Sequence, residues 1–218
     1  MGKVSVRSAN GHAPRVNDPE GTRRNIVEVA TREFAQKGYG SARVDAIAGL
    51  TRTSKRMIYY YFGSKEGLYL AVLEEAYGAI RRTEATLELD TLAPEEALRR
   101  LVGSTFDYYQ KHPEFVRLVM NENIMDCVHM ARSRAIGKLN VTVIDATRRI
   151  VARGQKAGVF RRGIDPIELH MSISALGIFN VANRATFSLI FKRDMTSPKA
   201  LAVRRREVVD IILGHVSV

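Results

Sequence analysis

Apolar residues recur along most of this 218-residue chain at the three- and four-residue spacing of an α-helix. The first such run holds Ile26, Ala30 and Phe34, each four residues apart, and similar runs continue toward the C-terminal end. No stretch alternates apolar and polar residues as a half-buried β-strand does, and no segment repeats another. The pattern therefore predicts an all-α fold of about nine helices.

Breaks in this pattern divide the chain into an arm, a head and a body. Residues 1–21 mix Gly, Asn, Pro, Ser and scattered charge without periodicity, so we interpret them as a flexible arm. Three basic residues lie in it: Lys3, Arg7 and Arg15. Residues 22–68 form a small helical head, and residues 69–218 form a larger helical body. A long fourth helix, beginning near residue 65, joins the two parts.

Capping residues mark several helix ends. Gly38 predicts the end of a first helix that starts at Thr22, because glycine readily adopts the left-handed conformation at such ends. The run Asp165-Pro166-Ile167-Glu168 has an N-cap, a first-turn proline and an acid in capping-box position. We expect an eighth helix to begin there and to continue to about Phe191.

The chain is strongly basic. Its 34 Lys and Arg residues against 23 Asp and Glu residues give a net charge of +11, which favours polyanionic partners such as nucleic acid, although generic basicity is an alternative explanation. Residues 1–70 hold 12 of the basic and 6 of the acidic residues. The single Cys127 fits a reducing compartment, and no apolar run is long enough for an export signal or a membrane helix. We therefore expect a cytoplasmic protein without a membrane partner.

Two short helices around a tight turn follow the first helix. The second helix has an apolar face of Val44, Ile47 and Ala48, while Ile58 and Phe62 pin the third helix one turn apart. Other faces of the third helix carry Lys55, Arg56, Met57, Tyr60 and Tyr61. A helix-turn-helix of this kind places its second helix in the major groove of double-stranded DNA.

The stretch from Ile26 to Leu73 resembles the head of the TetR family without a gap. The matching strings are Phe34-Ala35-Gln36-Lys37-Gly38-Tyr39, Val44-Asp45-Ala46-Ile47-Ala48, Ser54-Lys55, Tyr59-Tyr60-Tyr61-Phe62 and Ser64-Lys65-Glu66. The body matches the family in being all-helical and of fitting length, and its C-terminal part is faintly similar to the pyrimidine-sensing branch. That similarity is too thin to name a ligand.

The resemblance implies which residues contact DNA. It assigns base edges to Ser54, Lys55, Arg56, Met57 and Tyr60, and phosphates to Tyr59, Tyr61 and Lys65. Arg43 joins the set before the second helix, and residues 22–24 add backbone contacts at the start of the first. The chemistry agrees, because Lys and Arg donate to guanine and Met contacts a thymine methyl. The alternatives are that Tyr59 packs beneath the third helix and that Arg56 is a solvated charge.

Three departures from the family pattern indicate a mobile head. Arg52 stands where the family usually has the turn glycine, a position that often requires positive φ. Gly49 lies inside the second helix at a cost of about 1 kcal/mol relative to alanine. Ala42 and Arg43 occupy the positions at which Thr and Ser usually cap the second helix.

The resemblance also implies a homodimer and a ligand site in the body. The last two long helices would pair with those of a second copy, with small residues Ser174, Ala175, Gly177 and Ala182 among the apolar ones. Two heads spanning successive major grooves predict a palindromic operator. A central cavity would be lined by Phe106, Tyr109, Met120, Asn123, Met125, Met171, Ser174, Phe179, Asn180 and Asn183. The alternative is that these residues are ordinary helical core.

These observations together predict a DNA-binding transcription regulator. The resemblance favours a repressor that a small-molecule inducer releases from its operator. The chain has no phosphate-binding glycine loop, no pair of His at metal-ligand spacing and no nucleophile motif, so we expect no enzyme activity, cofactor or metal. Cys127 and His129 are two residues apart and point apart if they lie on a helix. The main alternative is a helical ligand- or partner-binding protein whose head has lost DNA binding, a reading that Arg52 leaves open.

Overall fold

The computed structural model describes residues 18–218. The basic residues of the predicted arm, Lys3, Arg7 and Arg15, lie outside the described part. Ten α-helices and two short 3-10 turns make up these residues, with one isolated β-bridge and no strand. The helices are α1 (Pro19–Ser41), α2 (Val44–Thr51), α3 (Lys55–Phe62), α4 (Lys65–Ala85), α5 (Pro94–Lys111), α6 (Pro113–Ile124), α7 (Arg134–Lys156), α8 (Pro166–Ala182), α9 (Arg184–Phe191) and α10 (Pro198–Val216). The prediction of an all-α fold is confirmed.

The first helix begins earlier than the sequence predicted. Asp18 caps α1, and its side chain accepts a hydrogen bond of 2.8 Å from the backbone N–H of Gly21. The predicted start at Thr22 is therefore wrong, because the acidic cap at Asp18 and the proline after it already open the helix. At the other end Gly38 has a φ of 71°, and helical structure resumes beyond it to Ser41. The glycine thus bends the chain where a stop was expected.

The predicted eighth helix is two helices. Asp165 caps α8 as expected, and its carboxylate accepts hydrogen bonds from the backbone N–H groups of Ile167 and Glu168. The helix ends at Ala182 instead of continuing to Phe191, and α9 leaves it at an angle of 60°. Asn183 caps both helices at the bend, and its side chain donates to the carbonyl of Phe179 at 3.5 Å. The apolar pattern runs through the bend without a break, so periodicity alone did not reveal it.

The head shares its apolar core with the body. One buried cluster joins residues of α1, α2, α3 and α4, including Phe34, Ile47 and Ile58, which are fully buried. Leu118 of α6 and Ile136 of α7 belong to the same cluster. The core of the head therefore extends beyond residue 68, and movements of α4, α6 and α7 are transmitted to the head by direct packing.

The body is built around α5, which packs against α7, α8 and α10. A second apolar cluster fills the space between them, and a third lies between α4, α5 and α6. Gly177 of α8 faces inward, where an added Cβ would lie 2.8 Å from Cδ2 of Tyr109. Ser174 also faces inward, and these two small residues bring α8 close to α5. The sequence predicted that they would lie on a face that pairs with a second copy, and this prediction is wrong.

Several large apolar side chains of the last three helices are exposed to solvent. They are Ile167, Met171 and Phe179 on α8, Leu189, Ile190 and Phe191 on α9, and Val203 and Ile211 on α10. No single helix within residues 18–218 is both long and apolar enough to cross a membrane; α8 and α9 pass that test only when they are joined across their bend.

Candidate nucleic-acid interface

The turn between α2 and α3 is closed by a residue in the left-handed conformation. Arg52 has φ 54° and ψ 29°, so the expectation of positive φ at this position is confirmed. The backbone N–H of Thr53 donates to the carbonyl of Ala48 at 3.1 Å, and the hydroxyl of Thr51 donates to the carbonyl of Ile47 at 2.9 Å. The bond from Thr53 to Ala48 closes the turn between α2 and α3 even though the turn has no glycine.

One side of α3 is buried and the other is free. Ile58 is fully buried beneath the helix, whereas Met57 and Tyr59 are each 38% exposed and Tyr60 is 78% exposed. Ser54 caps the helix, accepting a hydrogen bond of 3.2 Å from the backbone N–H of Met57. The outer face also carries four exposed polar side chains, those of Ser54, Lys55, Arg56 and Tyr60. Ile58 anchors α3, with Tyr61 and Phe62 packed partly against the same core. The predicted base-reading residues of the helix therefore face outward.

Lys55 is held by a carboxylate from the preceding helix. Its Nζ lies 3.0 Å from Oδ1 and 3.1 Å from Oδ2 of Asp45. This hydrogen bond and the charge of Asp45 raise the pKa of Lys55, so the ammonium is fully charged. In the DNA-free protein this cation is therefore already paired, and contact with DNA requires that it leave or share Asp45.

Lys65 lies at the first position of α4, beside the end of α1. Its Nζ stands 4.7 Å from the centre of the Tyr39 ring and donates to the carbonyl of Gly40 at 3.3 Å. Gly67 allows α4 to start close to α3, because an added Cβ would lie 2.0 Å from the carbonyl oxygen of Phe62. Tyr61 is partly buried against the core of the head, with its ring centre 5.4 Å from that of Tyr60.

The start of α2 lacks a side-chain cap, as the sequence predicted. Arg43 occupies the N-cap position and is exposed. Its backbone N–H donates instead to Oε1 of Glu33, at 3.3 Å, and the same oxygen accepts from Nζ of Lys37 at 2.9 Å. Glu33 is only 6% exposed. This carboxylate on α1 supplies the cap that Ala42 and Arg43 do not, and the only signal for it was an acid within the apolar face of α1.

The start of α1 lies next to the end of the third helix. The guanidinium carbon of Arg23 stands 5.3 Å from the centre of the Phe62 ring, and Arg24 beside it is exposed. The hydroxyl of Thr22 donates to the carbonyl of Asp18 at 2.9 Å. The two arginines thus add positive charge to the edge of the surface that α3 forms.

The loop between α6 and α7 packs against the head. Glu122, which is 1% exposed, accepts a hydrogen bond of 2.8 Å from the backbone N–H of Met130, and its Oε1 lies 3.0 Å from Nδ1 of His129. The His129 ring packs 4.1 Å from the ring of Tyr39 and 5.1 Å from that of Tyr69. Sequence reasoning missed this cluster, because its members come from three distant segments.

Two further contacts join this loop to the head and to α4. Arg132 forms an ion pair with Glu66, and the hydroxyl of Ser133 donates to Oε1 of Glu74 at 2.6 Å. Cys127, with φ 56°, lies in the turn that precedes His129 and not on a helix. The loop from α6 to α7 is thus tied to both α1 and α4.

The residues predicted to line a ligand cavity do not surround one space. Phe106, Tyr109 and Asn180 are buried; the hydroxyl of Tyr109 donates to Ser174 at 3.5 Å. Asn180 donates to Gln110 at 3.1 Å. The other predicted residues lie on outward faces or at the bend after α8: Met120, Asn123, Met125, Met171, Phe179 and Asn183. The apolar spacing correctly predicted helices in these segments, but it did not reveal which faces of α6 and α8 point toward the core.

Three of the clefts in the described part of the chain can be compared with this predicted set. The first, of about 710 Å³, separates α1 from α4 and the start of α6 and has charged residues of both signs. The second, of about 340 Å³, lies among α8, α9 and α10 and includes Phe179 and Asn180. The third, of about 380 Å³, lies among α4, α5 and α7, with Arg81 and Glu84 in its lining. None of the three is lined by the full predicted set.

Comparison with known proteins agrees with this architecture. Residues 26–72 match the family described as bacterial regulatory proteins, tetR family, and residues 94–212 match the tetracyclin repressor-like C-terminal domain. The HTH-type transcriptional repressor NicS of Pseudomonas putida is 37% identical over 188 residues, which cover 86% of this chain and 89% of NicS.

Solved structures share the whole fold. The crystal structure of SCO4942 from Streptomyces coelicolor has a TM-score of 0.69 at 26% identity, covering 89% of this chain and 98% of that one. A regulatory protein in the tetR family from Rhodococcus RHA1 has a TM-score of 0.71 at 21% identity, covering 90% and 97%. The chain therefore belongs to the TetR family, and it is a helix-turn-helix transcriptional regulator.

Proposed function

We propose that the protein is a homodimeric repressor that binds a palindromic operator and is released from it by a small-molecule inducer. The observation that carries this proposal is the exposed face of α3, anchored by Ile58 and carrying Lys55, Arg56, Met57 and Tyr60. Its relation to NicS, a repressor by name, favours repression over activation. Tyr59, Tyr61, Lys65 and Arg43 lie around this face and are proposed phosphate contacts.

Dimerisation is supported by the exposed apolar residues of the last helices. Met171 and Phe179 on α8 are 57% and 46% exposed, and Ile211 on α10 is 50% exposed. Side chains of this size on two helices form the kind of surface that a second copy of the chain would cover. Two heads related by a two-fold axis then reach successive major grooves, roughly 34 Å apart, which gives the operator its palindrome.

Coupling between ligand and operator follows from the shared core. Lys65 begins α4 beside the DNA-reading helix, and the same helix reaches the third cleft at Arg81 and Glu84. A ligand that favours one position of α4 changes the spacing of the two heads. A coupling free energy of about 1 to 3 kcal/mol lowers operator affinity by about 5- to 150-fold.

Selection from a randomised duplex library tests the DNA-binding part of the proposal. The parent protein should enrich a palindrome, and Tyr61→Phe and Lys65→Ala should weaken binding to it. Lys138→Ala provides a matched control, since this exposed lysine lies on α7 in the body. Binding should weaken with salt by a slope of about −0.9 per phosphate contact in a log–log plot.

Failure to enrich any sequence at low salt, with all variants behaving like the parent, would instead support a ligand- or partner-binding protein whose head no longer reads DNA.

A further inference from the structure

The cleft among α4, α5 and α7 is lined by both charged and apolar residues. Arg81 is 8% exposed, and the side chain of Glu84 is 9% exposed, although both line the cleft. Its apolar residues include Leu101, Val143 and Ala146. Three more charged residues also line it: Glu88, and Asp90 and Arg149, which pair with each other at 3.1 Å. With a volume of about 380 Å³, the cleft lies at the small end of the range of ligand sites.

Arg81 and Glu84 lack part of their hydrogen bonding. Nη1 of Arg81 lies 3.1 Å from Oε2 of Glu84, but the contact lacks the alignment of a hydrogen bond. As a result, Nε and Nη1 of Arg81 and Oε1 of Glu84 have no hydrogen-bond partner among residues 18–218. Leaving buried charged donors and acceptors unpaired is costly, so native proteins rarely do so without a reason.

We propose that this cleft binds a small organic acid, whose carboxylate accepts hydrogen bonds from Arg81 while its apolar part lies against Leu101, Val143 and Ala146. A guanidinium presents its N–H groups in a fork that matches the two oxygens of a carboxylate. The inference rests on the proposed ligand control and names the class of ligand and the residues that select it.

Glu84 favours an acid over a base at this site. Burial raises the pKa of Glu84 to about 7, against the opposing effect of Arg81, so at neutral pH its carboxyl accepts a proton at little cost. The protonated group donates to the second oxygen of the ligand and does not repel it. Burial, with a further contribution from the charge of Arg81, lowers the pKa of His170 on α8 to about 4, so the ring is neutral at pH 7.

Calorimetric titration of the full-length protein with benzoate and with benzamide, its neutral analogue of the same shape, tests the proposal. Benzoate should bind saturably near pH 7, and benzamide more weakly. Arg81→Met, which keeps apolar bulk, should weaken benzoate binding by about 10- to 100-fold. Arg82→Met is the matched control, because the neighbouring Arg82 is 64% exposed and pairs with Glu75 at the surface.

Glu84→Gln gives a second readout that does not depend on removing the arginine. In the parent, benzoate affinity should fall as the pH rises through about 7, where Glu84 ionises. The glutamine variant should bind benzoate with a flat pH dependence, because its side chain resembles the protonated acid.

The proposal is overturned if benzamide binds as tightly as benzoate, if Arg81→Met binds benzoate like the parent, or if none of benzoate, phenylacetate and hexanoate binds saturably. Operator binding separates this failure from that of the proposed function. If the parent protein binds its operator but no acid, the proposed function stands and the proposed ligand site is refuted. If it binds acid but no DNA, the ligand site stands and the proposed function is refuted.

Discussion

Two buried ionisable groups in the body should affect stability in opposite directions as the pH changes, and Glu84→Gln separates them. Burial raises the pKa of Glu84 from 4.5 to about 7. Burial and the charge of Arg81 lower the pKa of His170 from 6.5 to about 4. The stability that Glu84 contributes is therefore present below pH 4.5 and is lost as the pH rises through about 7. The contribution of His170 is present above pH 6.5 and is lost as the pH falls toward 4.

Each of these pKa changes is worth about 3 kcal/mol in full, and about 2 kcal/mol of each is realised between pH 4.5 and 6.5. Because the two contributions have opposite signs, they nearly cancel in the parent over this range. Glu84→Gln removes the contribution of Glu84, which decreases as the pH rises. Between pH 4.5 and 6.5 the unfolding free energy of this variant should therefore rise by about 2 kcal/mol more than that of the parent.

Urea unfolding followed by far-ultraviolet circular dichroism, at one fixed protein concentration, measures this difference. Glu95→Gln is the control, since Glu95 is exposed on the first turn of α5 and should leave the pH dependence unchanged. If the Glu84 variant follows the same pH dependence as the parent, the carboxyl does not titrate near neutrality in the folded state and the reasoning fails.

Three further substitutions test the head and its support. Asp45→Asn frees Lys55 from its ion pair, so fluorescence anisotropy should show tighter binding to any duplex and a steeper salt dependence; unchanged binding would argue against the tether. Arg52→Gly removes a side chain from a left-handed position and should raise Tm through a gain of about 1 kcal/mol, whereas Arg52→Ala should not. His129→Ala leaves buried Glu122 short of a partner and should lower the unfolding free energy by roughly 1 to 3 kcal/mol. His112→Ala, at a side chain that is 44% exposed, should cost much less.

Local chemistry explains what the sequence could predict. The cap at Asp165 and the anchor Ile58 depend on neighbours within four residues, and both lie where the pattern placed them. The left-handed turn at Arg52 follows from its position between two short helices. The exposure of the polar face of α3 could also be predicted, because only its opposite face is apolar.

Tertiary contacts explain what the sequence could not predict. Glu33 and Glu122 are buried carboxylates that accept hydrogen bonds from backbone N–H groups 10 and 8 residues away. The sequence pattern around each acid gives no sign of these backbone partners. The cleft of Arg81 and Glu84 is closed by α5 and α7, and an Arg and a Glu three residues apart on a helix usually form a solvated pair. Met120 and Met171 fit an inward face by period but lie outside.

The ring of Tyr39 links the proposed DNA-contacting surface to the body. Lys65, a proposed phosphate contact, stands over this ring at 4.7 Å, and His129 of the α6–α7 loop packs 4.1 Å from it. His129 is in turn placed by Glu122, which is buried at the end of α6. A shift of α6 relative to α4 must therefore move the ring or break its contact with His129. Movement of the ring would displace the Lys65 ammonium without unfolding α3. We therefore expect a ligand that shifts helix packing in the body to weaken DNA binding.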